Sequence, residues 1–427
     1  MLKREQQELL IKTGPGAPMG ELLRRYWVPA LLSEELPEPD CPPVRIKLLS
    51  ESLVAFKDTQ GRIGLIDEFC AHRGVSLYFG RNEECGLRCP YHGWKYDING
   101  HCLEVPSEPE DSNFRKKVKL KSYPCVERGG VIWAYMGPPE LKPDLPALEW
   151  ITVPASHCFV SKRLQECNYL QAMEGGIDSS HVSFLHRAAL NTDPLFKGSK
   201  GNEYNIADTH PKFEVVESPG GLYIGARRKA EPGSYYWRIT QWIMPWYTII
   251  PPRAKHPLGA HVWVPIDDEH CWAWSMNYHP HKPLSAEERE AMESGEGIHV
   301  KYIPGTYRSL ANKDNDYLID RAGQKAGKTY SGVAGFAMQD ASIQESMGPI
   351  QDRTKENLVS SDNGIIMARH RLMKAALNLQ KGIAPPALDP VTHKVRSASV
   401  VLPEGAQFQE AAKEALIAQP NTAPASV

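Results

Sequence analysis

No run of eighteen apolar residues occurs in the chain, so no segment of it reads as a membrane-spanning helix. The opening Met1-Leu2-Lys3-Arg4-Glu5-Gln6 also lacks the apolar stretch of a secretory signal, and a cytoplasmic location is expected. Charge of one sign is missing too: 49 Lys and Arg stand against 51 Asp and Glu, a formal net charge of -2. That balance gives no general attraction to nucleic acid or to an anionic membrane, so neither is expected as a partner. Cysteine is sparse, nine in 427 residues, and an odd number on a long chain argues against a disulfide framework. What remains is an ordinary globular composition, 41% hydrophobic and 23% charged, able to bury a sizeable core.

Two of the nine cysteines sit beside histidines at ligand spacing. Cys70-Ala71-His72 and Cys89-Pro90-Tyr91-His92 each offer one thiolate and one imidazole. Two such pairs on two tight loops are what a Rieske [2Fe-2S] centre needs, with cysteines on one iron and neutral histidines on the other. The competitor is structural zinc, but a C2H2 finger segregates its cysteine pair from its histidine pair. Gly93, Trp94 and Tyr96 after the second pair add a glycine for close backbone approach and aromatics that shield a cluster from water.

The text around these loops reads as a small antiparallel β domain. Short alternating runs such as Val44-Arg45-Ile46-Lys47-Leu48, Leu53-Val54-Ala55-Phe56, Gly64-Leu65-Ile66 and Val131-Ile132-Trp133-Ala134-Tyr135 are punctuated by turn residues. Residues 1–43 form an N-terminal segment, read as helical in two pieces broken at Gly14-Pro15-Gly16, with Met19, Leu22, Leu23 and Tyr26 at helical spacing. The β domain covers 44–150 and ends in a proline-rich link. Beyond it, 151–390 mixes strands (Phe213-Glu214-Val215-Val216 and Tyr235-Tyr236-Trp237-Arg238-Ile239-Thr240) with helices near 165–185 and 340–380, so the class is α+β. Residues 391–427 read as a low-complexity tail, ending Gln419-Pro420-Asn421-Thr422-Ala423-Pro424-Ala425-Ser426-Val427 and poorly ordered at its end.

A cluster of this kind passes single electrons and needs a destination. His181 and His186 lie five apart in a segment rich in small and polar residues, so a helix end or distortion is expected between them. Two histidines plus one carboxylate, with positions left open, form the ferrous site of O2-activating enzymes, whereas a zinc hydrolase would show His-Glu-x-x-His. Arg227, Arg228 and Arg238 lie in strand text, and an arginine facing such an iron would grip a substrate carboxylate in two-pronged fashion. Neighbours on a strand face opposite ways, so at most one of Arg227 and Arg228 can do so. Ser179 and Trp246 are further substrate candidates. Trp242, Trp246, Tyr247 and Ile249 line a pocket or fill the core with equal ease, and bulky Met244-Pro245-Trp246-Tyr247-Thr248 favours a monocarboxylate or aryl ether over a dianion.

On these motifs, with Phe79-Gly80-Arg81-Asn82-Glu83-Glu84 and Tyr91-His92-Gly93-Trp94-Lys95, the chain resembles the oxygenase component of the Rieske non-haem iron oxygenases, in their phthalate dioxygenase-like branch, up to about residue 380. The resemblance implies a helix-grip, START-like catalytic domain with a large antiparallel sheet. It implies a [2Fe-2S] cluster on Cys70, Cys89, His72 and His92, and a mononuclear Fe(II) on His181, His186 and a late carboxylate. Asp340, in Phe336-Ala337-Met338-Gln339-Asp340, matches that carboxylate best and Glu345 comes second. Asp352 and Glu356 read instead as solvated charges or partners of Arg353 and Lys355. Asp178 matches an aspartate that bridges to the cluster histidine of a neighbouring subunit in head-to-tail trimers, alone or stacked. With no dinucleotide fingerprint and no plant-type ferredoxin cysteine run, a separate NAD(P)H-dependent flavin/ferredoxin reductase is required. The expected activity is O2-dependent cis-dihydroxylation of an aromatic carboxylate. The alternatives are O-dealkylation of an aryl ether, or a non-catalytic electron carrier.

Overall fold

The computed structural model describes residues 1–109, 111–419 and 424–427. The chain divides into two compact units, Thr13–Pro143 and a discontinuous one made of Met1–Lys12 with Asp144–Val427.

The Thr13–Pro143 unit is built from three small antiparallel sheets. One joins Trp27–Leu32, Val131–Tyr135 and Cys125–Arg128; another joins Val44–Leu48, Glu51–Lys57 and Ile63–Asp67. The third runs Arg81–Glu83, Gly86–Arg88, Lys95–Tyr96 and Cys102–Glu104; its Gly86–Arg88/Lys95–Tyr96 hairpin carries the Cys89–His92 loop, while the Cys70–His72 loop lies in the connection from Ile63–Asp67 to Arg81–Glu83. Two corrections to the sequence reading fall here. Only Pro18–Leu23 of the second helical piece is helix, and Trp27–Leu32 is a strand paired with Val131–Tyr135. All six of its residues are buried, so the alternation that marks a strand is absent. The segment 1–43 is therefore not one piece, because its first twelve residues belong to the other unit.

That other unit opens with helix α1 (Arg4–Ile11) and is organised by one eight-stranded antiparallel sheet. Its strands are β1 (Cys158–Gln165), β2 (Lys212–Glu217), β3 (Gly221–Lys229), β4 (Ser234–Ile243), β5 (Tyr247–Ile250), β6 (Leu258–Pro265), β7 (Cys271–Tyr278) and β8 (Ala398–Pro403). The order is β1-β7-β6-β5-β4-β3-β2, with β8 on the free half of β4, where Arg238 faces Ser399 in register. Residues 391–427 are thus not simply a tail: β8 completes the sheet, and Ala425 O accepts from Ser399 N. The expectation of poor order at Pro420-Asn421-Thr422-Ala423 lies outside the described residues.

Three helices pack with the sheet: α2 (Tyr169–Ile177), α3 (Phe336–Ser346) and α4 (Asn363–Leu379). Asn168 caps α2, its side-chain oxygen accepting from Leu170 N at 3.1 Å. Near the other end, a Cβ on Gly176 would lie 2.1 Å from the Trp263 ring, and one on Gly175 would lie 2.1 Å from Gln344 Nε2. The glycine pair lets α2 sit hard against β6 and α3, and it brings the chain beyond Ile177 to the site.

Candidate functional site

In the Thr13–Pro143 unit, Gly74 (φ +75°) and Gly93 (φ +76°) turn the two loops, and Cys70 O and Cys89 O accept from their amides at 2.9 and 3.0 Å. Cys70 and Cys89 are buried, whereas His72 lies exposed and His92 half-buried, their ring centroids 4.5 Å apart. The Tyr96 hydroxyl meets Cys70 Sγ at 3.2 Å, and the Trp94 ring stacks on His72 at 4.7 Å. Inward sulfurs and outward imidazoles fit a Rieske cluster, which Cys70, Cys89, His72 and His92 would hold and which would pass single electrons.

In the larger unit α2 stops at Ile177, Asp178 is extended, and a short 3-10 turn spans His181–Ser183. That break brings His181 Nε2 to 3.2 Å from His186 Nε2. Asp340 Oδ1 on α3 lies 3.1 Å from His186 Nε2 and 3.6 Å from His181 Nε2. The tautomers follow from the other ring nitrogens. His181 Nδ1 donates to Asp178 Oδ2 at 3.2 Å and His186 Nδ1 to Gln339 Oε1 at 2.8 Å, while Gln339 Nε2 is spent on Val333 O. Both Nε2 atoms therefore present lone pairs to each other and to a carboxylate, a donor set that repels itself unless a cation lies between, and one that suits Fe(II).

Glu345 is spent elsewhere, accepting from Tyr317 OH at 2.6 Å and Glu166 N at 3.1 Å. Asp352 pairs with Lys355 at 3.1 Å, as expected, whereas Glu356 pairs with Arg369.

A cavity of about 70 Å³ opens over the triad, walled by Val182, Phe196, Ile250, Trp263, Ile298 and Phe336. Three guanidiniums also line it: Arg163 on β1, Arg238 on β4 and Arg253 after β5. Arg238 donates to Ser179 Oγ at 3.2 Å, and Arg253 lies over the Phe196 ring at 4.2 Å. Burial lowers both guanidiniums, Arg253 to about 9, which leaves Arg253 a cation at neutral pH.

Of the substrate candidates from the sequence, Arg238 lines this cavity and Arg227, Arg228, Ser179 and Trp246 do not. Arg227 points to Glu214 and the Tyr235 ring. Arg228 is buried on Asp208 O, Ser179 O and Ser183 Oγ. Ser179 is fully buried behind Arg238, and Trp246 is core, with Trp242, Tyr247 and Ile249. The case against a dianionic substrate falls with them, since 244–248 do not form the wall. Arg163 and Arg253 were missed; a signal for the latter was available, an arginine set between Pro251-Pro252 and Lys255 directly after a strand.

Models of two families match the chain: the Rieske [2Fe-2S] domain over residues 26–124 and the LigXa C-terminal domain-like family over 134–416. The oxygenase subunit of 3-chlorobenzoate-3,4-dioxygenase from Comamonas testosteroni is 38% identical over 403 residues, 91% of this chain and 92% of that protein. The chain belongs to the Rieske non-haem iron oxygenases. The oxygenase subunit of phthalate 4,5-dioxygenase from Pseudomonas putida is likewise 38% identical, over 90% of this chain and 88% of that one. A solved structure, the Pseudomonas putida CBB5 NdmA QL mutant with caffeine, shares the fold at a TM-score of 0.60 and 19% identity, covering 91% of this chain and 99% of that one. This Rieske oxygenase carries a [2Fe-2S] cluster and a mononuclear iron, and it works with a reductase and an organic substrate. No helix among the described residues is long and apolar enough to cross a membrane.

Proposed function

We propose that this Rieske oxygenase uses O2 and reductase-derived electrons to cis-dihydroxylate the ring of an aromatic carboxylate. The cluster is held by Cys70, Cys89, His72 and His92, and the mononuclear iron by His181, His186 and Asp340. When bound, that iron supplies the binding and reductive activation of O2.

The observation that carries the substrate class is the set of guanidiniums at Arg163, Arg238 and Arg253 around the triad, in a cavity otherwise walled by apolar and aromatic side chains. A carboxylate at Arg238 and Arg253 would hold the ring in a fixed pose, and the apolar walls keep water from the reacting face. Arg238→Met and Arg253→Met are each expected to raise KM for a benzoate or phthalate by about 10–100-fold, through loss of a charge-assisted hydrogen bond. Steady-state kinetics with product identification by mass spectrometry tests this. Turnover of neutral arenes but of no carboxylate would rule the reading out.

Asp178 is assigned as the bridge to the cluster histidine of a neighbouring chain in a head-to-tail trimer of this cytoplasmic enzyme. Support comes from its half-buried carboxylate, which orients His181 through Oδ2 and accepts from Ser180 N through Oδ1 at 2.6 Å. Asp178→Asn should slow reoxidation of the prereduced cluster in a single turnover by about 10–100-fold, as changes to groups that orient metal ligands do. Stopped-flow absorbance reads this, with sedimentation mass giving a multiple of three chains. An unaltered rate, or a monomer, would contradict the assignment.

A further inference from the structure

His261 plays no part in the chemistry above, yet its ring lines the cavity that holds His181, His186 and Asp340. It stands on β6 two residues before Trp263, so both side chains leave the same face of the strand, and their rings lie 5.2 Å apart. Its Nδ1 is 3.1 Å from the Trp274 carbonyl oxygen and 3.2 Å from Ser275 Oγ. A carbonyl can only accept, so Nδ1 carries the ring proton and Nε2 keeps a lone pair. Burial, helped by the charge of Arg163, holds the imidazole down at about 4, so the ring stays neutral at working pH. Nε2 has no hydrogen-bond partner among the described residues.

The cavity's remaining polar groups divide sharply. Arg163, Arg238 and Arg253 donate, the carboxylates of Asp340 and Asp178 are engaged with His181 and His186, and Gln344 Oε1 accepts from Gln165 Nε2 at 2.6 Å. His261 Nε2 is left as a neutral acceptor beside the Trp263 ring. An arene carrying only a carboxylate satisfies the cations and leaves this acceptor unpaired. An arene that also carries a donor satisfies both.

We propose that His261 Nε2 accepts a hydrogen bond from a ring hydroxyl or amino group, so that the preferred substrates are hydroxy- or amino-substituted aromatic carboxylates. The proposal rests on the aromatic-carboxylate reading and narrows it. His261 is a specificity residue for binding, and its effect appears without turnover.

Anaerobic equilibrium dialysis of the whole enzyme against benzoate and the isomeric hydroxy-, amino- and methoxybenzoates tests it. At one ring position the hydroxy and amino compounds should bind about tenfold or more tighter than benzoate and the methoxy compound, because only they pair the buried acceptor. His261→Phe should erase that preference while benzoate affinity stays within about threefold, and His261→Gln, which restores an acceptor oxygen, should regain part of it. Visible circular dichroism of the cluster and thermal melting check that the variants fold. If they do not, a crystal structure of the unaltered enzyme with the tightest hydroxybenzoate decides, with the hydroxyl expected within hydrogen-bond distance of Nε2. Equal affinities throughout, a preference that survives His261→Phe, or a hydroxyl bound elsewhere overturns the proposal and leaves the carboxylate reading standing. Failure of every benzoate to bind overturns both.

Discussion

His181→Ala removes the mononuclear iron and the oxygenated product while the visible spectrum of the Rieske cluster stays as it was. The substitution takes one of three donors from a site in which His186 Nε2 and Asp340 Oδ1 already lie 3.1 Å apart. One imidazole and one carboxylate are too few to retain Fe(II) against water and buffer. The cluster loops belong to the other compact unit, and their ligands are untouched. Metal analysis of the purified variant should fall from about three irons per chain to about two, and coupled product yield to below about 1%. Turnover without the third iron would overturn the assignment. Two irons in the unaltered protein would favour a simple electron carrier.

The second large effect concerns stability. Glu174, on the helix that leads to His181 and His186, is buried between two arginines: Arg369 meets it at 2.7 and 3.0 Å and Arg353 at 3.2 Å. Arg369 has Glu356 as a second partner, but the side chain of Arg353 is 0% exposed. Glu174→Gln leaves a buried guanidinium without its counter-charge, at a cost of about 3–5 kcal/mol. Calorimetry should show a matching fall in Tm at pH 7. The pH dependence has a definite sign. Burial pushes the Glu174 carboxyl up, but Arg353 and Arg369 outweigh it and bring the carboxyl below its ordinary value. Its contribution is therefore complete above the unfolded-chain pKa of about 4.3 and is lost as pH falls through the lower folded value. The gap between the two proteins should close in acid. A constant gap down to pH 3 would show that the carboxylate is not the source.

How much of this was legible depended on distance along the chain. The proposed cluster ligands declare themselves because each loop brings its cysteine and histidine within four residues. His181 and His186 do so at a spacing of five. Asp340 is more than 150 residues further on, and only a resemblance pointed to it before the fold set it beside His186. The cavity arginines were harder. Arg227, Arg228 and Arg238 look alike in strand text, and register decides that Arg238 faces the iron site while Arg227 faces Glu214. Aromatic richness misled at Trp246 because core and pocket draw on the same residues. Trp27–Leu32 lost its strand signature by being buried throughout, and β8 was hidden in text that read as tail.

The discontinuity of the larger unit also sets an order of events at the ribosome. Helix α1 is made long before its partners: Leu10 O accepts from Tyr169 OH, and the side-chain oxygen of Gln7 accepts from Arg353 N. Thr13–Pro143 has all its strands in hand well before that, whereas the eight-stranded sheet waits for Pro403. At typical synthesis rates of about 5–20 residues per second, the first twelve residues stay unpartnered for tens of seconds while the electron-carrying unit is already free to fold and collect its metal. Nascent chains of this oxygenase are therefore expected to be cluster proteins first and oxygen-activating enzymes only once Ala398–Pro403 has been made.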